Sequence, residues 1–201
     1  MEYNIYITGV GGQGVVKTST IIGEACIKKG LNVVTSEIHG MSQRGGVVPV
    51  EVRIGDVNGP IIKNGRTNLL LAFEPLEAVR SLPKLSKNTI AIVNESEIVP
   101  FTVSLGMGEY LHGKTYIEEL KKLLKLVIAF NADKVAEEIG ASILSNMVIL
   151  GAATSIKDFP IEKEYIEETI KESFKPQFIN LNLKAFNRGY EIGKSLLIEL
   201  M

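Results

Sequence analysis

Short apolar runs alternate with stretches of helical periodicity along most of the chain, the arrangement of an α/β domain built on a largely parallel sheet. Residues 4–8 form a β-rich run ending at Gly9. Val15, Val16, Ile21, Ile22 and Ala25 then recur at helical spacing as far as Gly30, which suits a helix C-terminus. Further strands are predicted over 32–38, 47–54, 69–73, 89–94 and 126–131. The 47–54 strand is expected to leave the parallel pattern, because the short glycine-rich link before it has no room for a crossover helix.

Beyond residue 131 the pattern is helical throughout. It predicts helices over 132–138, 143–156, 162–174 and 183–200, with Pro160 and Pro176 as corners between packed helices. No repeat, low-complexity tract or linker divides the chain. The expectation is one Rossmann-like α/β domain over 1–201, a largely parallel sheet flanked by helices, with the α/β part over about 1–135 and a helical C-terminal region over about 136–201. Residues 139–156 carry no charge and approach the lower length limit for crossing a bilayer. Ser142, Ser145, Asn146, Thr154 and Ser155 within them favour a buried core or interface helix instead.

Composition narrows the chemistry. With 22 Lys+Arg against 23 Asp+Glu, the chain lacks the cationic excess that binding a phosphate backbone requires, so nucleic acid is not an expected partner. The single cysteine, Cys26, cannot by itself supply an iron–sulfur or structural zinc site, nor a disulfide within the chain. That usage, and an N-terminus without the basic-then-apolar pattern of a secretory signal, points to the cytoplasm and to no membrane.

The strongest local motif is Gly9-Val10-Gly11-Gly12-Gln13-Gly14, between the first strand and the first helix. Glycines there permit a tight turn and a close backbone approach, and the helix N-terminus offers unpaired N–H donors to an anion. Glu37 follows about 20 positions later, where a dinucleotide enzyme places an acid for the ribose hydroxyls. Gln13 is unlike the NAD fingerprint, and the glycines also suit mere close strand–helix packing. Lys17-Thr18 imitates a P-loop, but the residue before the lysine is Val16 rather than glycine, so lysine and backbone cradle are out of register.

A second polar loop runs Ser36-Glu37-Ile38-His39-Gly40-Met41-Ser42-Gln43-Arg44-Gly45-Gly46. Since the ends of parallel strands share one edge of a sheet, it is expected to face the glycine loop across a crevice. His39 is a candidate proton-transfer group and Arg44 a candidate clamp for a carboxylate or phosphate. The bland alternative is that Glu37, His39 and Arg44 brace the loop or a partner chain. Glu74 is a polar neighbour at the same edge, and His112 reads as a surface-loop histidine. No nucleophile elbow, H-E-x-x-H helix, C-x-x-C pair or thiamine-binding Gly-Asp-Gly pattern is present, so the chain is not expected to run a reaction alone.

On these two loops the sequence resembles the gamma-type domain of 2-oxoacid:ferredoxin oxidoreductases. Pyruvate-type gamma chains tend to carry a Gly-Pro-Glu-Arg-Arg-Gly-like segment where this chain has His39-Gly40-Met41-Ser42-Gln43-Arg44-Gly45-Gly46, so the resemblance is to the beta subunits of the indolepyruvate, or aryl-pyruvate, branch. It extends over Leu71-Ala72-Phe73-Glu74-Pro75 and Asn187-Arg188-Gly189, nearly the whole chain.

The resemblance implies a larger alpha subunit that holds thiamine diphosphate and [4Fe–4S] clusters, decarboxylates the 2-oxoacid, passes electrons to ferredoxin and forms an acyl-CoA. No metal is expected on this chain. The preferred reading of Gly9, Gly11, Gly12, Gln13, Gly14, Glu37, Gln43 and Arg44 is a cofactor-binding set that holds the phosphates of coenzyme A, with Arg44 or His39 assisting at the alpha-subunit active site; the competing one is that both loops form the subunit interface and touch no ligand. Two readings of other classes stay open on the residues alone: a free-standing NAD(P)-binding dehydrogenase of Rossmann type, and a non-enzymatic anion-binding module.

Overall fold

The structure, a computed structural model, describes residues 2–38 and 46–199. In chain order they form β1 (Glu2–Thr8), α1 (Val15–Lys28), β2 (Val33–Glu37), β3 (Val50–Gly55), β4 (Leu69–Ala72), α2 (Pro75–Arg80), β5 (Ile90–Asn94), α3 (Phe101–Ser104), α4 (Gly113–Leu123), β6 (Leu126–Phe130), α5 (Ala132–Ile139), α6 (Ser145–Thr154), α7 (Lys163–Ser173) and α8 (Pro176–Glu199). All six strands join one sheet in the order β2-β3-β1-β4-β5-β6. The run from β1 through β4 and β5 to β6 is parallel, and β3 is antiparallel to both of its neighbours.

The antiparallel β3 agrees with the short link before it. Its place in the sheet was not evident from spacing: it pairs with β2 as a returning strand and also with β1, so it separates the two. Glu37 stands opposite Val50, and Val50 opposite Ile7. The ends of β1 and β2 do share an edge, but two strand spacings, about 10 Å, separate them.

Alternation along the strands divides the core. Ile5, Ile7, Leu69, Leu71, Ile92 and Ile128 face a large cluster covered by α1 and α5 through α8. Leu70, Ala72, Ala91, Val93 and Val127 face a smaller one closed by Ala78 of α2 and by Ile117 and Leu120 of α4. Burying each large aliphatic side chain contributes about 1.5–3 kcal/mol, which fixes the register of strands buried on both faces.

The uncharged stretch contains α6, every residue of which is buried. It lies directly on α8: a Cβ at Gly151 would stand 2.0 Å from the Phe186 carbonyl oxygen, and one at Gly189 would stand 1.9 Å from that of Val148. Backbone therefore meets backbone where any side chain would hold the helices apart. Among the described residues no helix is long and apolar enough to cross a membrane. α8 starts at Pro176, earlier than the apolar spacing suggested, because proline is tolerated in a first helical turn, where the N–H it lacks has no intrahelical partner.

Candidate functional site

The glycine loop connects β1 to α1 at the carboxyl edge of the sheet. Gln13 closes it from within: Oε1 accepts from the Val10 N–H at 2.7 Å and Nε2 donates to the Phe73 carbonyl at 2.8 Å. A Cβ at Gly9 would meet Gln13 Oε1 and Phe73 Cβ, each at 2.8 Å, so glycine there makes room for the closure. The hydrogen-bonding amide at position 13, anomalous for a dinucleotide fingerprint, thus ties the turn to the end of β4.

The end of the second loop lies on the glycine loop rather than across an open crevice from it. The Gly11 N–H donates to the Gly46 carbonyl at 2.8 Å and the Val48 N–H to the Gly9 carbonyl at 2.9 Å. His39, Gln43 and Arg44 lie outside the described residues. Glu37, at the end of β2, is half-buried and lines a hollow with Ser19, Gly23 and Val33 on the flank of α1. With β3 interposed, it is not on the strand adjacent to β1, where a dinucleotide fold places its ribose acid.

Gly12 and Gly14 are disposed differently from Gly9 and Gly11. Both have positive φ, 106° and 81°, and the N–H groups of Gly12, Gly14 and Val15 have no partner among the described residues. Among the described residues no side chain caps α1. No described residue lies within 4 Å of a Cβ built at Gly12, which leaves the backbone there open to an anion. Lys17 does not reach back as a P-loop lysine would. Its Nζ donates to the Ser173 carbonyl at 3.2 Å and lies 4.7 Å from the centre of the Phe174 ring.

Beside Gly12 and Gly14 opens a recess of about 390 Å³, walled by Ile143, Leu144, Phe174, Phe178 and Leu181 and by the stem of Lys17. Asn146 and Asn182, each only 6% exposed, also line it. Asn146 uses Oδ1 to accept from the Met147 N–H at 2.8 Å, and Asn182 uses Nδ2 to donate to the Phe178 carbonyl at 2.9 Å. The Asn146 Nδ2 and Asn182 Oδ1 have no partner among the described residues. Sequence reasoning did not find this recess, since its walls come from three helical segments far apart in the chain. The available signal was Asn146, a strong hydrogen-bonding group in an otherwise uncharged stretch.

The remaining candidates have structural roles. Glu74 is buried at the N-terminus of α2, where it accepts from the Glu77 N–H at 2.9 Å and from the Tyr110 hydroxyl. Burial, followed by that carboxylate, raises the Tyr110 pKa. Burial also raises the Glu77 pKa against the opposing effect of Arg80, and Glu77 Oε2 is buried without a partner among the described residues. His112 is exposed just before α4, as a surface-loop histidine would be. Burial pushes the Cys26 thiol up to about 12, which keeps it protonated and unreactive at neutral pH. Among the described residues no group of three or more His, Cys, Asp or Glu is placed to hold a metal ion.

Comparison with known proteins agrees over almost the whole chain. Residues 4–192 match the family model described as pyruvate ferredoxin/flavodoxin oxidoreductase. Indolepyruvate oxidoreductase subunit IorB of Methanothermobacter thermautotrophicus is 47% identical over 94% of this chain and 97% of its own. The gamma subunit of a keto/oxoacid ferredoxin oxidoreductase from Geobacter sulfurreducens superposes with a TM-score of 0.71 at 26% identity, covering 96% of this chain and 99% of that one. A 2-oxoglutarate:ferredoxin oxidoreductase from Magnetococcus marinus shares the fold, with a TM-score of 0.71 at 20% identity over 96% of this chain but only 31% of that one. The fold is thus shared with a gamma subunit over almost its full length, and the protein belongs to the pyruvate ferredoxin/flavodoxin oxidoreductase family.

Proposed function

We propose that this chain is the gamma-type subunit of a cytoplasmic indolepyruvate:ferredoxin oxidoreductase, which oxidatively decarboxylates an aryl pyruvate to an acyl-CoA. A larger alpha subunit holds thiamine diphosphate and [4Fe–4S] clusters, and ferredoxin accepts the electrons. The observation that carries this reading is the near full-length agreement with the Methanothermobacter indolepyruvate oxidoreductase subunit. A free-standing nicotinamide dehydrogenase is disfavoured by β3, which removes Glu37 from the strand beside the glycine loop.

Within the complex, the glycine loop binds the phosphates of coenzyme A, the thiol that accepts the acyl group. The fit rests on the N–H groups of Gly12, Gly14 and Val15, the open space over Gly12 and the positive end of the α1 dipole. The Magnetococcus enzyme, described with coenzyme A and succinyl-CoA bound, offers a precedent at the level of fold. His39 and Arg44 join this reading on their chemistry alone.

The test is purification of the complex from native cells with thiamine and iron analysis, followed by coenzyme A titration of wild-type and Gly12→Asp complexes. A carboxylate at position 12 is expected to weaken coenzyme A binding by at least about tenfold, through charge repulsion and lost backbone access. Unchanged affinity overturns the coenzyme assignment. A Gly12→Asp chain that folds but no longer assembles identifies the loop as subunit interface instead.

A further inference from the structure

We propose that the recess between the start of α1, the 141–146 segment and the start of α8 is a binding site for a small amphipathic anion. A carboxylate or phosphate head sits on the glycine loop, and an apolar body lies among Ile143, Phe174, Phe178 and Leu181. The assignment goes beyond coenzyme binding by the loop, because it rests on groups outside the loop that no phosphate contact explains.

Three observations converge. The volume, about 390 Å³, lies within the range of small-ligand sites, and the walls are largely apolar. One end carries the N–H groups of Gly12 and Gly14, which have no partner among the described residues, at the N-terminus of α1. Two asparagines, 94% buried, also line the recess, with Asn146 Nδ2 as donor and Asn182 Oδ1 as acceptor unpartnered among the described residues. Both amide ends open onto the recess rather than being sealed in protein, so they are available to a ligand as donor and acceptor. A purely apolar guest would leave the asparagines and the N–H groups unpaired. A bare inorganic anion would leave the phenylalanines and Leu181 against water. A head-and-body ligand satisfies both.

Two sources have this chemistry: aryl carboxylates, and the phosphorylated pantetheine arm of a coenzyme. Indole-3-acetate and 4′-phosphopantetheine are the probes, titrated separately into the full chain by calorimetry or NMR. Indole-3-ethanol and pantetheine serve as uncharged counterparts. Saturable binding of at least one charged probe is expected, at least about tenfold tighter than its uncharged counterpart. Which one binds identifies the source.

Leu181→Glu, at a wall position 39% exposed, is expected to weaken binding at least about tenfold. Ile198→Glu, on the same helix but 70% exposed and away from the recess, is expected to leave it unchanged. Asn146→Asp keeps the shape and the Met147 contact while replacing the free donor with a carboxylate, and is expected to act like Leu181→Glu. Absence of saturable binding by either charged probe up to about 5 mM, equal affinity for charged and uncharged forms, or indifference to Leu181→Glu overturns the proposal. Loss of coenzyme A binding in Gly12→Asp complexes with no effect of Leu181→Glu on either probe overturns this site while sparing the coenzyme reading. The reverse pattern does the opposite.

Discussion

The side chain of Gln13 donates to the Phe73 carbonyl at 2.8 Å, joining the glycine turn after β1 to the end of β4, the next strand of the sheet. The same amide accepts from the Val10 N–H, so one residue fixes the turn at two points. Each such bond contributes about 1 kcal/mol net, and a buried donor left unpaired costs more. Gln13→Ala is therefore expected to destabilise the chain by about 1–3 kcal/mol in denaturant unfolding. Gln13→Glu is expected to lose more, because its carboxylate would face the Phe73 carbonyl. Equal stability of Gln13→Ala and wild type would show that the glycines alone shape the turn.

The α6–α8 contact predicts a second outcome. Gly189→Ala forces a methyl to within 1.9 Å of the Val148 carbonyl oxygen, so the helices must separate. Overpacking of this kind costs about 1–3 kcal/mol or more. Gly59→Ala, with open space around its Cβ and no positive φ, is expected to stay within about 0.5 kcal/mol of wild type. A thermal melt of the two variants separates a close-packing requirement from a general sensitivity to alanine.

Tyr110→Phe removes the hydroxyl that Glu74 Oε1 accepts from, while the Glu77 N–H stays on Oε2. A buried carboxylate oxygen that loses its donor is expected to cost about 1–3 kcal/mol. The loss should be localised: amide exchange ought to rise first around Tyr110 and at the start of α2, ahead of the sheet.

Glu77 sets a pH dependence. Burial raises its folded pKa above the ordinary 4.5, so the folded state holds this proton more tightly than the unfolded chain does. For such a carboxyl the stabilising contribution is complete below the unfolded value and is lost as pH rises from about 4.5 through the raised folded value. Glu77→Gln, which removes the titration, is expected to flatten stability against pH across that window. Melting temperatures measured from pH 4 upward on both proteins check it, and parallel curves would place the titration elsewhere.

Much of this was legible in the sequence, for identifiable reasons. The strands declared themselves because Leu69–Ala72 and Ile90–Asn94 are buried on both faces and so read as continuous apolar runs. The reversal of β3 followed from the length of the link before it. Its insertion between β1 and β2 did not, since strand order depends on pairings that no local spacing records. Glycines 9 to 14 announced a turn, but the division between those that close it and those that face the recess needed the positions of Phe73, Gly46 and Asn146. The recess itself, built from residues 12 to 182, left only its buried asparagines as a trace.

The short ladder in which Gly46 and Val48 bond to Gly11 and Gly9, with the Ile38 N–H on the Pro49 carbonyl at 3.2 Å, works as a clasp at the base of the second loop. Residues added or removed between 38 and 46 are expected to leave these bonds and the register of β3 in place. A single deletion between 46 and 50 would instead turn every side chain of β3 to the wrong face. The placement of β3 is thus set by these few backbone bonds and not by the number of residues in the loop that precedes them.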